Sequence, residues 1–196
     1  LEQARQPLHA AVQVVARRRG PDEIRAEVRE APADATETRS AGPPILPATV
    51  LFGARYPDPP HVAPLVLRGE RPSTWAAERL YGDAMFHGPR LQGVASMDRW
   101  GEDGAQATLQ ALPADRLFAS DTMPTLLTDP VVLDAAGQVV GYWIAEHLDT
   151  GFHVFPYRVE AVHFYGPPLV APERATCQAR IALVGDAQVR STIDVV

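Results

Sequence analysis

Asp134 and Gln138 stand four residues apart in the run Asp129-Pro130-Val131-Val132-Leu133-Asp134-Ala135-Ala136-Gly137-Gln138. On a helix that spacing puts both side chains on one face, so the amide can hydrogen-bond the carboxyl. Their neighbours are apolar, and an acid in such company is costly unless it is paired, protonated or functional. Burial raises a carboxyl pKa, so the pattern predicts an Asp134 that keeps a proton near neutral pH and can donate it. The plainer alternative is an aspartate partnered near a helix start. A second segment, Leu80-Tyr81-Gly82-Asp83-Ala84-Met85-Phe86-His87-Gly88-Pro89-Arg90-Leu91-Gln92-Gly93, reads as a tight turn rich in aromatic side chains. By composition alone it is a loop laid against a core.

The element that must hold the acid is the stretch Pro130–Leu148. It has no internal proline, and its apolar residues cover nearly the whole helical surface, the mark of a buried helix. The rest of the chain reads mostly as strands. Alternation over Leu8–Arg19 and Ile24–Val28, across Gly20-Pro21-Asp22, predicts a hairpin. Ala31–Pro44 reads as a loop, and Leu46–Ala54 as a further strand. One or two helical turns are expected over Thr74–Leu80, capped by Ser73 or Thr74, and a turn over Phe86–Arg90. Val94–Trp100 and Ala105–Leu112 pair across Gly101-Glu102-Asp103-Gly104. Strands are also expected at Tyr157–Tyr165, Ala175–Val184 and Gln188–Val196. One buried helix among many strands predicts an α+β domain whose antiparallel sheet wraps a long central helix. Glu23–Val28 also resembles Gln188–Ile193, a faint sign of two copies of one fold.

Composition excludes several classes. The 196 residues suit one domain or two small repeats sharing a core, and 46% hydrophobic with 21% charged residues is ordinary for a globular protein. No run approaches the ~18 apolar residues of a membrane span, and no charged-then-apolar leader opens the chain. A net charge of −6, with arginine as the only strongly basic residue type, argues against nucleic-acid binding. Cys177 is the single cysteine, which rules out a disulfide within the chain and fits a cytoplasmic setting. A metal site is not expected: His153 and His163 lack further ligands. There is no nucleophile elbow, phosphate-binding glycine loop or His-Glu-x-x-His. Because the chain starts at Leu1, a processed product or a piece of a larger protein is expected.

Together the two chemical segments resemble the dehydratase domains of polyketide and polyunsaturated fatty acid synthases, which are double hotdog folds. His87-Gly88-Pro89-Arg90-Leu91-Gln92-Gly93 is similar to the Tyr-Gly-Pro-x-Phe-Gln-Gly segment that opens that family's second hotdog. Asp129 through Gln138 matches the family's His-Pro-x-x-Leu-Asp-x-x-x-Gln/His except at its first residue. Phe155-Pro156-Tyr157-Arg158-Val159-Glu160 resembles the strand leading away from the helix, and residues 1–55 resemble, more loosely, the last strands of the first hotdog. The resemblance implies a partial double hotdog, with residues 1–60 closing a first hotdog and residues 61–196 forming the second.

It further implies elimination of water from a 3-hydroxyacyl thioester, with Asp134 as the acid and Gln138 and His87 supporting it. Tyr81, Phe86, Gly88, Pro89 and Leu133 would line the substrate pocket. The substrate would arrive on the phosphopantetheine of an acyl carrier protein, with no metal or redox cofactor needed, inside a multifunctional lyase of polyketide or fatty acid biosynthesis. Other synthase domains and a second copy are the expected partners. Two departures stand out: His87 replaces the family's tyrosine, and its His-x3-Gly-x4-Pro base motif has no counterpart in residues 1–60, where His9 and His61 lack the glycine. His147–Pro156 satisfies that motif literally but follows the aspartate helix, and is expected to be a chance match. The rival readings are a non-catalytic hotdog module that binds acyl chains or carrier protein or scaffolds a dimer, and a hotdog thioesterase.

Overall fold

Alternating apolar and polar residues build a first small sheet. A computed structural model describes residues 11–31, 43–115, 117–118, 124–148, 155–185 and 188–196, and it divides the chain into two units, Leu1–Tyr56 and Pro57–Val196. In the first, β1 (Val12–Arg18), β2 (Glu23–Glu30) and β3 (Leu46–Leu51) form an antiparallel sheet in that order. The hairpin register sets Val14 opposite Val28 and Ala16 opposite Ala26. Its turn closes where the Arg19 amide donates to Glu23 O, while the Arg18 guanidinium holds the Gly20 and Pro21 carbonyls. The predicted hairpin and third strand are present, the third ending at Leu51 rather than Ala54. Residues 8–10 and most of the Ala31–Pro44 loop lie outside the described residues.

The second unit is a five-stranded antiparallel sheet in the order β4 (Arg71–Pro72), β5 (Val94–Gly101), β6 (Gly104–Gln110), β7 (Arg174–Val184) and β8 (Gln188–Val195). The helix α2 (Pro130–Leu148) has the predicted bounds and lies against β5, β6, β7 and β8. Trp143, Tyr142, Val139 and Val131 of the helix are buried, as are Leu109 and Cys177 of the sheet. Inside this core the Trp143 Nε1–H donates to Gly101 O at 2.7 Å. A long helix held against a curled antiparallel sheet is an α+β hotdog arrangement, as the sequence leads one to expect. No helix among the described residues is long and apolar enough to cross a membrane.

Three expectations need correction. First, the helix α1 covers only Ala77–Arg79 and widens into a π-helical turn over Leu80–Ala84. The Ser73 and Thr74 hydroxyls do not cap it, because the helix starts at Ala77 with Ala76 at the cap position; both donate to the Glu146 carboxylate on α2, and Ser73 Oγ accepts the Trp75 N–H. Second, residues 157–165 form no backbone ladder among the described residues. They touch β8 only by side chains, with the Tyr157 hydroxyl 3.4 Å from Gln188 Oε1 and Arg190 3.9 Å from Glu160. A strand requires a neighbour's amides and carbonyls as well as alternation, so Phe155, Tyr157 and Val159 remain exposed. Third, α2 is not buried all round: Leu133 and Gly137 are exposed at its N-terminal half. There the sheet does not cover the helix.

Candidate active site

The site is assembled where the Leu80–Gly93 segment crosses α2. Asp129 starts the helix, its Oδ1 accepting the amides of Val131 and Val132 at 2.8 and 3.1 Å. This is an N-cap, with Pro130 at the first helical position where its missing N–H costs nothing. Asp129 therefore has a structural task at the position where it departs from the resembling pattern. The pair Asp-Pro before an apolar run was the sequence signal for it.

Gly93 brings the crossing segment close. A Cβ there would lie 2.8 Å from the Ala135 Cβ and 3.1 Å from Val131 Cγ1, so only glycine lets the backbone approach α2 this tightly. That approach places two backbone groups beside the helix face: Leu91 O and the Val94 N–H. Gln138, only 4% exposed, reaches them. Its Nε2 donates to Leu91 O at 2.8 Å and to Asp134 Oδ2 at 2.6 Å. Its Oε1 accepts from the Tyr81 hydroxyl at 2.7 Å, and the Tyr81 oxygen accepts from Val94 N–H at 2.8 Å.

Asp134 is the open end of this chain of bonds. Its side chain is 40% exposed, not sealed inside the apolar helix. His87 Nε2 lies 3.3 Å from the same Oδ2 that receives Gln138, leaving Oδ1 as the less engaged oxygen. The His87 imidazole is largely buried, and its Nδ1 has no partner among the described residues. That arrangement suits an imidazole with its proton on Nε2, since an unpaired lone pair is cheaper to bury than an unpaired N–H. Phe86 stacks on the His87 ring at 4.4 Å and is otherwise exposed. Burial pushes the Tyr81 hydroxyl up to about 12, so it remains a donor throughout the neutral range.

The structure thus gathers Asp134, Gln138, His87 and Tyr81 into one cluster. The hydroxyl of Tyr81, a residue expected to line a substrate pocket, bonds Gln138 and Val94. Leu133 and Phe86 do present exposed apolar surface beside the cluster, Gly88 is exposed, and Pro89 opens a short 3-10 turn ending at Leu91. A surface hollow of about 330 Å³ lined by Asp103, Arg180 and Arg190 shares no residue with the cluster. Its Arg180 is already paired with Asp194.

The literal His-x3-Gly-x4-Pro match does not reach the site. His147 stacks on Trp143 at 4.4 Å, thirteen residues beyond Asp134 and so about 20 Å along the helix axis. His9 and His153 lie outside the described residues, while His61 is exposed in an irregular stretch and His163 faces Tyr165. Among the described residues no group of three or more His, Cys, Asp and Glu is placed to hold a metal ion.

A family model described as the polyketide synthase dehydratase N-terminal domain matches residues 55–196. No curated protein and no solved structure matches the chain.

Proposed function

Because the chain belongs to the polyketide synthase dehydratase family, we propose that its Asp134 cluster is the acid half of a site that eliminates water from a carrier-bound 3-hydroxyacyl thioester. A base removes the proton from C2, the C2–C3 double bond forms, and the C3–O bond breaks. The departing hydroxyl takes the proton of Asp134 and leaves as water. One proton is taken and one given, so the 2-enoyl thioester forms with no redox or metal partner in the balance. Gln138 holds Oδ2 and leaves Oδ1 to carry the proton toward the exposed side. The observation that carries this reading is a hydrogen-bonded, orientated carboxyl on the exposed Leu133–Gly137 side of a largely buried helix.

His87 does not supply the base. One of its nitrogens faces Asp134 and the other is buried, so neither meets a substrate C–H. We assign the base to a histidine outside this chain, and residues 61–196 to the second of two hotdogs. Leu133 and Phe86 offer the apolar surface for an acyl chain. The phosphopantetheine of an acyl carrier protein, neighbouring synthase domains and a second copy of the chain complete the proposed setting, in the cytoplasm.

Positioned acids contribute about 100- to 10,000-fold. In the full-length synthase protein, Asp134→Asn should cut formation of the enoyl thioester by at least about 100-fold while leaving the melting temperature near wild type. Near-normal enoyl formation in that variant would overturn the assignment. Free thiol release in place of enoyl product would point to a thioesterase.

A further inference from the structure

Resting on the reading of Asp134 as the acid, we infer that Tyr81 is a positioning residue, which acts through Gln138 to fix which oxygen of Asp134 delivers the proton. The Gln138 carboxamide can be placed in two ways that differ by exchanging its N and O. Three fixed groups choose between them. Leu91 O is only an acceptor, so it takes an amide N–H. Val94 N–H is only a donor, so it fills a lone pair of the Tyr81 oxygen and leaves the phenol hydrogen free to point elsewhere. That hydrogen goes to Gln138 Oε1 at 2.7 Å. The reversed amide would set Oε1 against both Leu91 O and the Asp134 carboxyl, two repulsive contacts. With the amide fixed, its second N–H lands on Asp134 Oδ2, and Oδ1 is left for the leaving hydroxyl.

The backbone supplies the same information from both ends. Leu91 and Val94 flank Gly93, whose close approach to Ala135 sets their distance from α2. Tyr81 enters from the widened turn at Leu80–Ala84. Its ring is braced edge-on by Tyr142, whose own hydroxyl donates to Leu80 O. Loss of the Tyr81 hydroxyl leaves the amide held from one side only.

The test uses the full-length protein and a soluble 3-hydroxyacyl thioester. Tyr81→Phe keeps the ring and removes the hydroxyl. It should lower kcat by about 3- to 10-fold, the worth of one net hydrogen bond, with KM unchanged and a lower melting temperature, because the Val94 N–H loses its acceptor. Introduced into Gln138→Leu, the same change should alter kcat less than about twofold, because its route to Asp134 is already cut. A Tyr81→Phe kcat within twofold of wild type, or effects of the two substitutions that multiply, would overturn the inference. If Asp134→Asn is inactive while Tyr81→Phe behaves normally, only the positioning role fails; if Asp134→Asn is active, the dehydratase reading itself fails. Should Tyr81→Phe not fold, the wild-type Gln138 carboxamide decides by NMR. Two inequivalent protons in slow exchange with solvent are expected, and a carboxamide exchanging at the rate of free glutamine refutes the role.

Discussion

Val12 and Val14 in β1 alternate with polar residues in the same way that Ala105, Ala107 and Leu109 do in β6. Yet the valines are 59% and 67% exposed, while all three β6 residues are at 0%. Both strands sit in antiparallel ladders with regular registers. What differs is a second layer: α2 lies over β5 to β7 in the second unit, whereas the described residues of the first unit include no helix. Alternation chooses which side chains share a face, but a face becomes a core only when another layer removes it from water. Full burial of a valine or leucine side chain contributes about 1.5–3 kcal/mol, so the stability of this chain is concentrated where the acid helix lies.

The comparison can be pressed hardest at Trp143, which is buried and bonded to Gly101 O. Trp143→Ala should cost about 3–5 kcal/mol, seen as a lower denaturant midpoint. Cys177 gives an independent readout, since burial pushes its thiol up to about 12 and it is the only cysteine. It should resist a thiol reagent in the folded protein, and Trp143→Ala should speed its labelling. Labelling as fast as that of a free thiol in the folded wild type would contradict the closed core.

A smaller loss is expected at Gly93, where an added methyl group meets Ala135 and Val131. Gly93→Ala should cost about 1–3 kcal/mol by overpacking, and it should lower activity as well because it displaces Leu91 O and Val94 N–H. A variant with wild-type stability and activity would show that the close approach is not needed.

Acid should separate the two units more gently. Asp103 lies below its ordinary value of 3.8, chiefly because its carboxylate accepts the Arg68 backbone N–H, with the Arg68 guanidinium adding to this. A carboxyl lowered in the folded state contributes stability that is full above the ordinary aspartate range and is lost as pH falls through the depressed native value. This pair is solvent-screened, so the contribution is at most about 1 kcal/mol. In Asp103→Asn, the fall of melting temperature below about pH 4 should be shallower. Glu27 in β2 is also lowered, first by its hydrogen bond to Arg29. That partner is two residues away and can persist in the unfolded chain, so Glu27→Gln should change the slope less. The smallest effect belongs to Val14→Ala, within about 0.5 kcal/mol; a loss near that of Trp143→Ala would mean the first sheet is covered after all.

Much of this was legible in the residues themselves. The bounds of α2 followed from an uninterrupted apolar run behind Asp129-Pro130, and the hairpins followed from alternation broken by glycine-containing turns. The Asp134–Gln138 bond followed from helical spacing, because i and i+4 contacts are fixed by local geometry. The stretch 157–165 was misread because its alternation is strand-like while its ladder partner is not encoded locally. Ser73 and Thr74 do not cap a helix because the turn begins only at Ala77, leaving their hydroxyls to bridge to Glu146 over seventy residues away.

The helix, the hairpins and the pairing of Asp134 with Gln138 are local features, since each depends on residues within a few positions of one another. That Asp134 is half open, that His87 turns toward it and that the Tyr81 hydroxyl meets Gln138 was settled by packing between distant segments. Those facts depend on how closely the Gly93 backbone meets α2 and on where the sheet stops covering it. Such distances are set by the packing of whole layers, and no short window of residues contains them.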